Sequence, residues 1–127
     1  MAWQYRGTPL NLLDLLAAAL CAGALVFEAT ADQQQWVFQE AKHAKLRAGK
    51  RLTGAQAKGF LTTGLWRYSR HPNFFAEQSL WWSMALFAFA AGGGRPSWAL
   101  GGAALLSLLF HGSTNMTERI TAAKYPA

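Results

Sequence analysis

The chain has 127 residues, of which 52% are hydrophobic and 14% charged, and 12 Lys and Arg against 6 Asp and Glu leave a net charge of +6. Soluble domains carry about 25% charged residues, so this composition argues against a typical soluble domain and against a disordered chain. The length fits one domain over residues 1–127. A single cysteine, Cys21, excludes an intrachain disulfide and a cysteine-based zinc site.

Long stretches with few charged residues predict membrane segments. A helix that crosses the bilayer needs about 20 mostly apolar residues, and three stretches fit, roughly Leu10 to Ala31, Phe74 to Ala91 and Ser97 to His111. The sequence therefore predicts an all-α fold of multi-pass membrane helices with about three spans. A small soluble helix bundle is the alternative, but six tryptophans and eight phenylalanines leave few polar residues for its surface.

Basic residues are concentrated between the first two segments, where eight of the twelve lie. By the positive-inside rule, the loop over residues 42–70 and the C-terminus are expected to face the cytoplasm. This predicts a multi-pass protein of the inner, cytoplasmic membrane. Val37, Ala41 and Ala44 recur at helical spacing opposite Lys42, which predicts a short amphipathic helix at the lipid headgroups. Nucleic-acid binding is disfavoured because the aromatic residues of this loop flank the membrane instead of alternating with the lysines.

The densest polar cluster is WRYSRHPN, just before the second predicted span. Pro72 does not suit the inside of that helix and Asn73 is a favourable N-cap, so the sequence predicts a helix that begins at Phe74. Backbone N–H groups at a helix start favour an anion, and Arg70 and His71 strengthen that preference. We expect a phosphate or carboxylate site at the cytoplasmic face. Anchoring to lipid headgroups is the alternative.

Acidic residues near the membrane predict further polar contacts. Glu77 follows Asn73 by one helical turn, and Glu28 and Asp32 are also four residues apart in the first segment. Carboxylates at this depth are costly unless they are paired or face a polar cavity. Glu77 is expected either to pair with a nearby arginine or to accept a hydrogen bond from a ligand. Glu28 and Asp32 are expected either to pair with the basic loop or to belong to a functional site.

Near the C-terminus, Asn115 and Glu118 have the spacing of a capping box. This predicts a short cytoplasmic helix with Asn115 as its N-cap. Asp14 lies near the outer boundary of the first segment and is given no role. The three histidines are widely separated, so no metal site is predicted.

The run GLWRYSRHPNFFAE from Gly64 to Glu77, followed by two tryptophans, resembles the signature of bacterial membrane proteins grouped with the steroid 5-alpha-reductases. The resemblance extends from about Phe27 to the end of the chain and includes Lys124-Tyr125-Pro126. A related Arg-His-Pro element occurs in isoprenylcysteine carboxyl methyltransferases. This superfamily implies a multi-helix membrane enzyme whose C-terminal half binds a cofactor at the cytoplasmic side, NADPH in the reductases and S-adenosylmethionine in the methyltransferases.

Residue by residue, the resemblance implies that six side chains surround the cofactor: Asp32, Tyr68, Arg70, His71, Asn73 and Glu77. Arg70 and His71 suit phosphate groups, whereas Asn73 and Asp32 suit hydrogen bonds to amide or ribose groups. The resemblance implies no particular catalytic residue.

The implied activity is NADPH-dependent reduction of a carbon–carbon double bond in a lipid or sterol-like substrate. Phe74 and Ala76 stand where the family usually has Tyr and Gly. Relatives also have further helices before the first segment here and a further segment after the last residues, so we expect a truncated C-terminal part of the family domain. Two alternatives stay open: an S-adenosylmethionine-dependent membrane methyltransferase, and an inactive module whose missing helices come from a partner chain.

Overall fold

The computed structural model describes residues 9–125, which excludes Pro126 of the resemblance. Its helices are α1 (Leu12–Arg47), α2 (Ala55–Lys58), α3 (Pro72–Ala91) and α4 (Trp98–Lys124), with a 3₁₀-helix at Gly64–Arg67. Residues 9–125 contain no strand, which confirms the all-α prediction.

In the described part of the chain, α1 is the one helix long and apolar enough to cross a membrane. Only 11% of its most apolar 18-residue window is buried, whereas the core helix of a soluble protein would be mostly covered by neighbours. The second and third predicted segments correspond to α3 and to the first part of α4. The number of spans stays a prediction.

Helix α1 joins two segments that the sequence suggested were separate. It runs for 36 residues, so the predicted first span and the predicted amphipathic helix are one helix, because no glycine or proline lies between residues 24 and 48. At its start, Asn11 Oδ1 accepts a hydrogen bond from Leu13 N–H at 2.8 Å, and Asp14 Oδ2 accepts one from Asn11 N–H at 2.9 Å. Asp14 therefore completes a capping box.

Helices α1 and α3 pack through a small-residue seam, which we define as two rows of buried residues that recur every seven positions. The rows are Ala17, Ala24 and Ala31 on α1 and Ala76, Ser83 and Ala90 on α3. Seven residues are close to two helical turns, so each row stays on one face, and small side chains let the two backbones approach closely. Phe27 and Phe75 extend the contact beside the seam, with ring centroids 6.0 Å apart.

Helix α3 lies between α1 and α4. On the α4 side, Trp82 Nε1 donates a hydrogen bond to Ser107 Oγ at 2.9 Å, and the rings of Phe74 and Phe110 are 5.4 Å apart. α4 is continuous over 27 residues, so the predicted short helix capped by Asn115 is wrong. Of its three interior glycines only Gly112 lies near Asn115, and one glycine in a helix costs only about 1 kcal/mol. No proline lies between residues 97 and 125 to end the helix.

The connector over residues 48–71 folds back onto α1. Trp66 Nε1 donates a hydrogen bond to the Ala31 carbonyl at 3.0 Å, and Leu65 N–H donates one to Gln34 Oε1 at 2.9 Å. Gly64 has a φ of +61°, and a β-carbon there would lie 2.5 Å from the Gln34 side chain. The turn therefore needs glycine both for its backbone conformation and for space.

Candidate functional site

The start of α3 carries most of the predicted cofactor residues. His71 is the N-cap and Pro72 is the first helical residue, so α3 begins two residues before the predicted Phe74. Proline suits this position because the N–H that it lacks would have no acceptor within the helix. The prediction of Asn73 as N-cap is therefore wrong. Asn73 is the second helical residue, and Glu77 follows it one turn later on the same face.

Glu118 of α4 binds this helix start. Its carboxylate forms an ion pair with Arg70, and its Oε1 lies 2.7 Å from Nε2 of His71. Both expected anion-binding residues are therefore held by one carboxylate. The capping role predicted for Glu118 is wrong, because the surrounding helix is uninterrupted. Its partner Arg70 is 48 residues away in the chain, so no local spacing signals the contact.

Aromatic rings support the same cluster. The His71 ring stacks on Phe74 with centroids 5.2 Å apart and planes inclined by 15°, and Phe74 in turn contacts Phe110. The Arg70 guanidinium lies 4.7 Å from the centroid of the Phe60 ring, a distance that allows cation–π attraction. These contacts fix the orientation of both basic side chains before any ligand binds.

A second cluster, the acidic group, consists of Glu28, Asp32 and Glu77. Glu28 on α1 lies close enough to Glu77 on α3 for their carboxyl groups to interact, and Asp32 lies one turn further along α1. Trp81 Nε1 donates a hydrogen bond to Glu77 Oε1 at 2.9 Å. No member of the acidic group forms an ion pair with a basic residue within residues 9–125. The expected pairing with arginine or with the basic loop is therefore absent from this part of the chain.

Asn73 lies in sequence between His71 and Glu77 and has an unsatisfied oxygen. Its Oδ1 is buried and accepts no hydrogen bond from the described residues. An unpaired buried carbonyl oxygen costs about 1–3 kcal/mol, so this position favours an added N–H or O–H donor. An amide or hydroxyl group of a ligand has the required chemistry.

The six predicted residues therefore divide into two pairs and two single residues. Arg70 and His71 both contact Glu118, whereas Asp32 and Glu77 both lie near Glu28. The side-chain oxygen of Asn73 accepts no hydrogen bond from either cluster. Tyr68 is 83% exposed and belongs to neither cluster, although it lines a shallow cavity of about 360 Å³ together with Arg70.

The C-terminal end of α4 closes against the connector and α1 through Tyr125. Its Oη accepts a hydrogen bond from Lys42 Nζ at 3.1 Å, and the ammonium groups of Lys42 and Lys124 lie 5.3 and 5.6 Å from the ring centroid. The hydrogen bond from Lys42 lowers the pKa of the Tyr125 phenol below its usual value. Gly59 has a φ of +87°, and a β-carbon there would overlap the Tyr125 ring. Sequence reasoning missed this contact.

No group of three or more His, Cys, Asp or Glu side chains between residues 9 and 125 is arranged to hold a metal ion.

Comparison with known proteins identifies relatives. The family described as "protein of unknown function (DUF1295)" matches residues 2–127. The chain is 38% identical over 120 residues to uncharacterized protein C594.04c of Schizosaccharomyces pombe, which covers 89% of this chain and 35% of that protein. It is 31% identical over 89 residues to Delta(14)-sterol reductase LBR of Gallus gallus, which covers 65% of this chain and 14% of that protein. The chain thus spans about a third or less of the length of these relatives. No solved structure shows significant similarity.

Proposed function

The chain belongs to the DUF1295 family, a steroid 5-alpha-reductase-like family, and from this membership and the unsatisfied oxygen of Asn73 we propose that it forms the cofactor-binding part of a membrane reductase. The apolar α1 and the similarity to a sterol reductase together indicate a membrane protein. The proposed cofactor is NADPH, and the proposed substrate is a lipid or sterol-like molecule with a carbon–carbon double bond.

The unsatisfied Asn73 oxygen is the observation that carries this proposal. A nicotinamide carboxamide has two N–H donors, which match two acceptors, an asparagine oxygen and a neighbouring carboxylate. Asn73 and Glu77 would hold this amide end, with Asp32 available for a ribose hydroxyl. The bound cofactor supplies the hydride, and the residues of this chain bind and orient it.

Arg70 and His71 would hold the phosphate groups. In the structure both side chains are already directed at one oxyanion, the carboxylate of Glu118. Phosphate has the same kind of acceptor oxygens and a larger charge, so it would compete with Glu118 for the planar guanidinium of Arg70. Glu118 would then act as an internal substitute for the ligand.

The proposed topology has three spans in the inner membrane, with the connector and the end of α4 in the cytoplasm. The antiparallel packing of α3 against α4 supports it, because Arg70 and Glu118 meet at the same end of the molecule as Lys42 and Tyr125. The basic loop therefore lies at one end of the helices, as the positive-inside rule requires.

Thermal melting of the purified chain in mild detergent tests the cofactor proposal. We expect NADPH to raise the melting temperature and Asn73→Ala to weaken NADPH binding about fivefold, which is the loss of one hydrogen bond of about 1 kcal/mol. Asn115→Ala is the matched control, because Asn115 is exposed on α4. No shift with NADPH, or equal weakening in both variants, would contradict the proposal.

A second candidate function is favoured by the acidic group. S-adenosylmethionine carries a sulfonium and an ammonium group, and carboxylates without a basic partner suit such cations. Arg70 would then hold the carboxylate of this cofactor. Melting of the chain with S-adenosylmethionine, in parallel with NADPH, separates the two candidates. Glu77→Gln should abolish a rise in melting temperature caused by a bound cation and only reduce a rise caused by NADPH.

Complete activity is proposed to need further helices, either in a longer chain or in a partner chain, because the relatives are about three times as long or longer. Co-purification with a protein that supplies such helices would support this proposal. Turnover of a lipid enone by the isolated 127-residue chain would contradict it.

A further inference from the structure

A cavity of about 660 Å³, here called the apolar furrow, runs along one face of α3. Phe75, Trp82 and Phe89 line it at seven-residue spacing, and Leu20 of α1 and Leu100 of α4 contribute to its edges. All of its nine lining residues lie within the three segments that the sequence predicts to cross the membrane, and none is charged. Phe75 is 63% exposed and Leu20 is 55% exposed. The furrow therefore opens toward the surroundings of the helices.

The shape of the apolar furrow favours a single extended chain as its occupant. Phe75 and Phe89 are 14 residues apart, which at 1.5 Å per residue makes the furrow about 21 Å long. Its volume spread over this length gives a mean cross-section of about 30 Å². An α-helix with its side chains has a diameter of about 10 Å, so its cross-section is more than twice as large. The furrow is therefore too narrow to enclose a further helix, whereas a hydrocarbon chain fits.

The polar groups of the furrow differ in what they offer to a ligand. The hydroxyl groups of Ser79 and Ser83 donate to carbonyl groups of α3 at 2.8 and 2.6 Å. Trp82 Nε1 donates to Ser107 Oγ. Gln78 makes none of these bonds, and no other side-chain hydrogen bond within residues 9–125 involves it. An amide group in an apolar environment is unfavourable without a partner, so Gln78 favours a ligand that has a hydroxyl or carbonyl oxygen.

The furrow has a polar end and an apolar end. Gln78 lies near the start of α3, whereas Leu86 and Phe89 lie near its last residue, Ala91. We infer that the apolar furrow binds a long hydrocarbon chain whose single hydroxyl or carbonyl group forms a hydrogen bond with Gln78. Fatty alcohols and fatty acid esters belong to this class. Apolar walls with one placed polar group are typical of ligand cavities of this size.

The apolar furrow is separate from the proposed cofactor site. Consecutive tryptophans serve the two sites, because Trp81 Nε1 binds Glu77 of the acidic group whereas Trp82 lines the furrow. None of the six proposed cofactor residues contributes to its lining. The bound chain is therefore a second lipid, distinct from the molecule proposed to receive the hydride. This inference goes beyond the proposed function and does not depend on it.

Photolabelling of the purified full chain tests the inference, in amphipol so that no free detergent competes with the probe. The probe is hexadecanol with a diazirine in its chain, and mass spectrometry of peptides locates and quantifies the label. We expect saturable labelling of residues 78–89. Leu86→Trp fills the furrow and should reduce this labelling about tenfold. Leu105→Trp is the matched control, because Leu105 is 70% exposed on α4 and lies outside the furrow.

Circular dichroism and melting verify that both tryptophan variants retain their helices. Equal labelling of residues 78–89 in the two folded variants, or labelling of the wild type that unlabelled hexadecanol does not displace, would overturn the inference.

Competition with unlabelled molecules tests the role of Gln78. Hexadecanol and methyl palmitate should displace the probe about fivefold better than hexadecane, which cannot form the hydrogen bond. In Gln78→Leu the three competitors should be equal. Gln33→Leu replaces an exposed glutamine outside the furrow and should keep the difference. Equal displacement by all three competitors in the wild type would contradict the hydrogen bond to Gln78.

Two further measurements separate this inference from its alternatives. Cholesterol has one hydroxyl on a rigid ring system and should displace the probe about tenfold less well than hexadecanol; better displacement by cholesterol would contradict a flexible chain as the occupant. Asn73→Ala should leave labelling within about twofold of wild type, because Asn73 lies outside the furrow. A chain that does not bind NADPH but is labelled in the furrow would contradict the proposed function and support this inference.

Discussion

The acidic group differs in charge from a cavity of about 820 Å³ between the connector and the end of α4, here called the basic cavity. Three carboxylates form the first region, whereas Lys58, Arg70 and Lys124 line the second. Elsewhere in the chain opposite charges do meet, as Glu40 meets Arg47 at 3.1 Å and Glu118 meets Arg70. Exposed ion pairs of this kind add little stability, so the fold loses little by keeping the two regions apart.

The two regions are also built differently. The acidic group depends on the small-residue seam, because α1 and α3 must approach closely for Glu28 to reach Glu77. The basic cavity depends on the connector and on the tail of α4, which meet through Tyr125 and Gly59. Each region can therefore be disturbed while the other is monitored.

The largest effect is expected from Ala76→Leu, which enlarges a seam residue that is only 1% exposed. Overpacking of a close contact costs about 1–3 kcal/mol, so the melting temperature should fall and the acidic group should separate. Ala104→Leu is the control, since Ala104 is exposed on α4. The hydrogen bond from Lys42 to Tyr125, followed through the lowered pKa of the phenol, should persist in both variants. Its loss in Ala76→Leu would show that the two regions are not independent.

Arg70→Ala is expected to weaken NADPH and pyrophosphate binding about tenfold, because Arg70 serves both the cluster at Glu118 and the basic cavity. Hydrogen bonds to charged groups contribute about 1.5–3 kcal/mol. Calorimetry measures both affinities. Arg67→Ala is the matched control, because Arg67 forms no ion pair within residues 9–125. Unchanged affinities in Arg70→Ala would exclude this residue from both sites.

Glu118→Gln is expected to strengthen pyrophosphate binding about threefold to tenfold. The amide removes the negative charge that competes with phosphate for Arg70 and His71. Glu40→Gln breaks the other carboxylate–arginine pair, with Arg47, and should leave the affinity unchanged. Weaker binding in Glu118→Gln would mean that the carboxylate positions the two basic residues and does not compete with the ligand.

The smallest effect is a change in ionisation at the end of α4. Lys42→Gln removes the hydrogen bond and charge that lower the pKa of Tyr125, so the phenol pKa should rise toward 10.0. Spectrophotometric titration measures it, and subtraction of the Tyr125→Phe curve isolates this residue from the other two tyrosines. Lys45→Gln should leave the curve in place. A pKa that stays lowered in Lys42→Gln would refute this contact as its cause.

The sequence predicted the positions of the long helices better than the residues at which they begin and end. Long apolar runs must become helices to satisfy their backbone groups, and the three long helices follow those runs. Asparagine is a favourable N-cap residue, but neither Asn73 nor Asn115 is an N-cap. Pro72 already occupies the first helical position of α3 before Asn73, and α4 continues through Asn115. A favourable cap residue therefore marks a helix start only where the preceding chain is not already helical.

The candidate site was only partly predictable, because its decisive contacts join distant residues. Glu118 and Arg70 are 48 residues apart, and Lys42 and Tyr125 are 83 apart. Such pairs leave no periodic signal in one sequence. The small-residue seam does leave a periodic signal, a seven-residue recurrence of alanine and serine. These small side chains are too weakly apolar to stand out among the leucines around them.

The continuity of α1 has a mechanical consequence. At 1.5 Å per residue its 36 residues measure about 54 Å, whereas the hydrocarbon core of a bilayer is about 30 Å thick. When α1 crosses a membrane, about 24 Å of it lies beyond the hydrocarbon core. The connector contacts this part of the helix at Gln34, and the end of α4 contacts it at Lys42. Because α1 is one continuous helix, its length sets the distance of the cytoplasmic end from the bilayer. A change in the tilt of the membrane-crossing part therefore also displaces the cytoplasmic end.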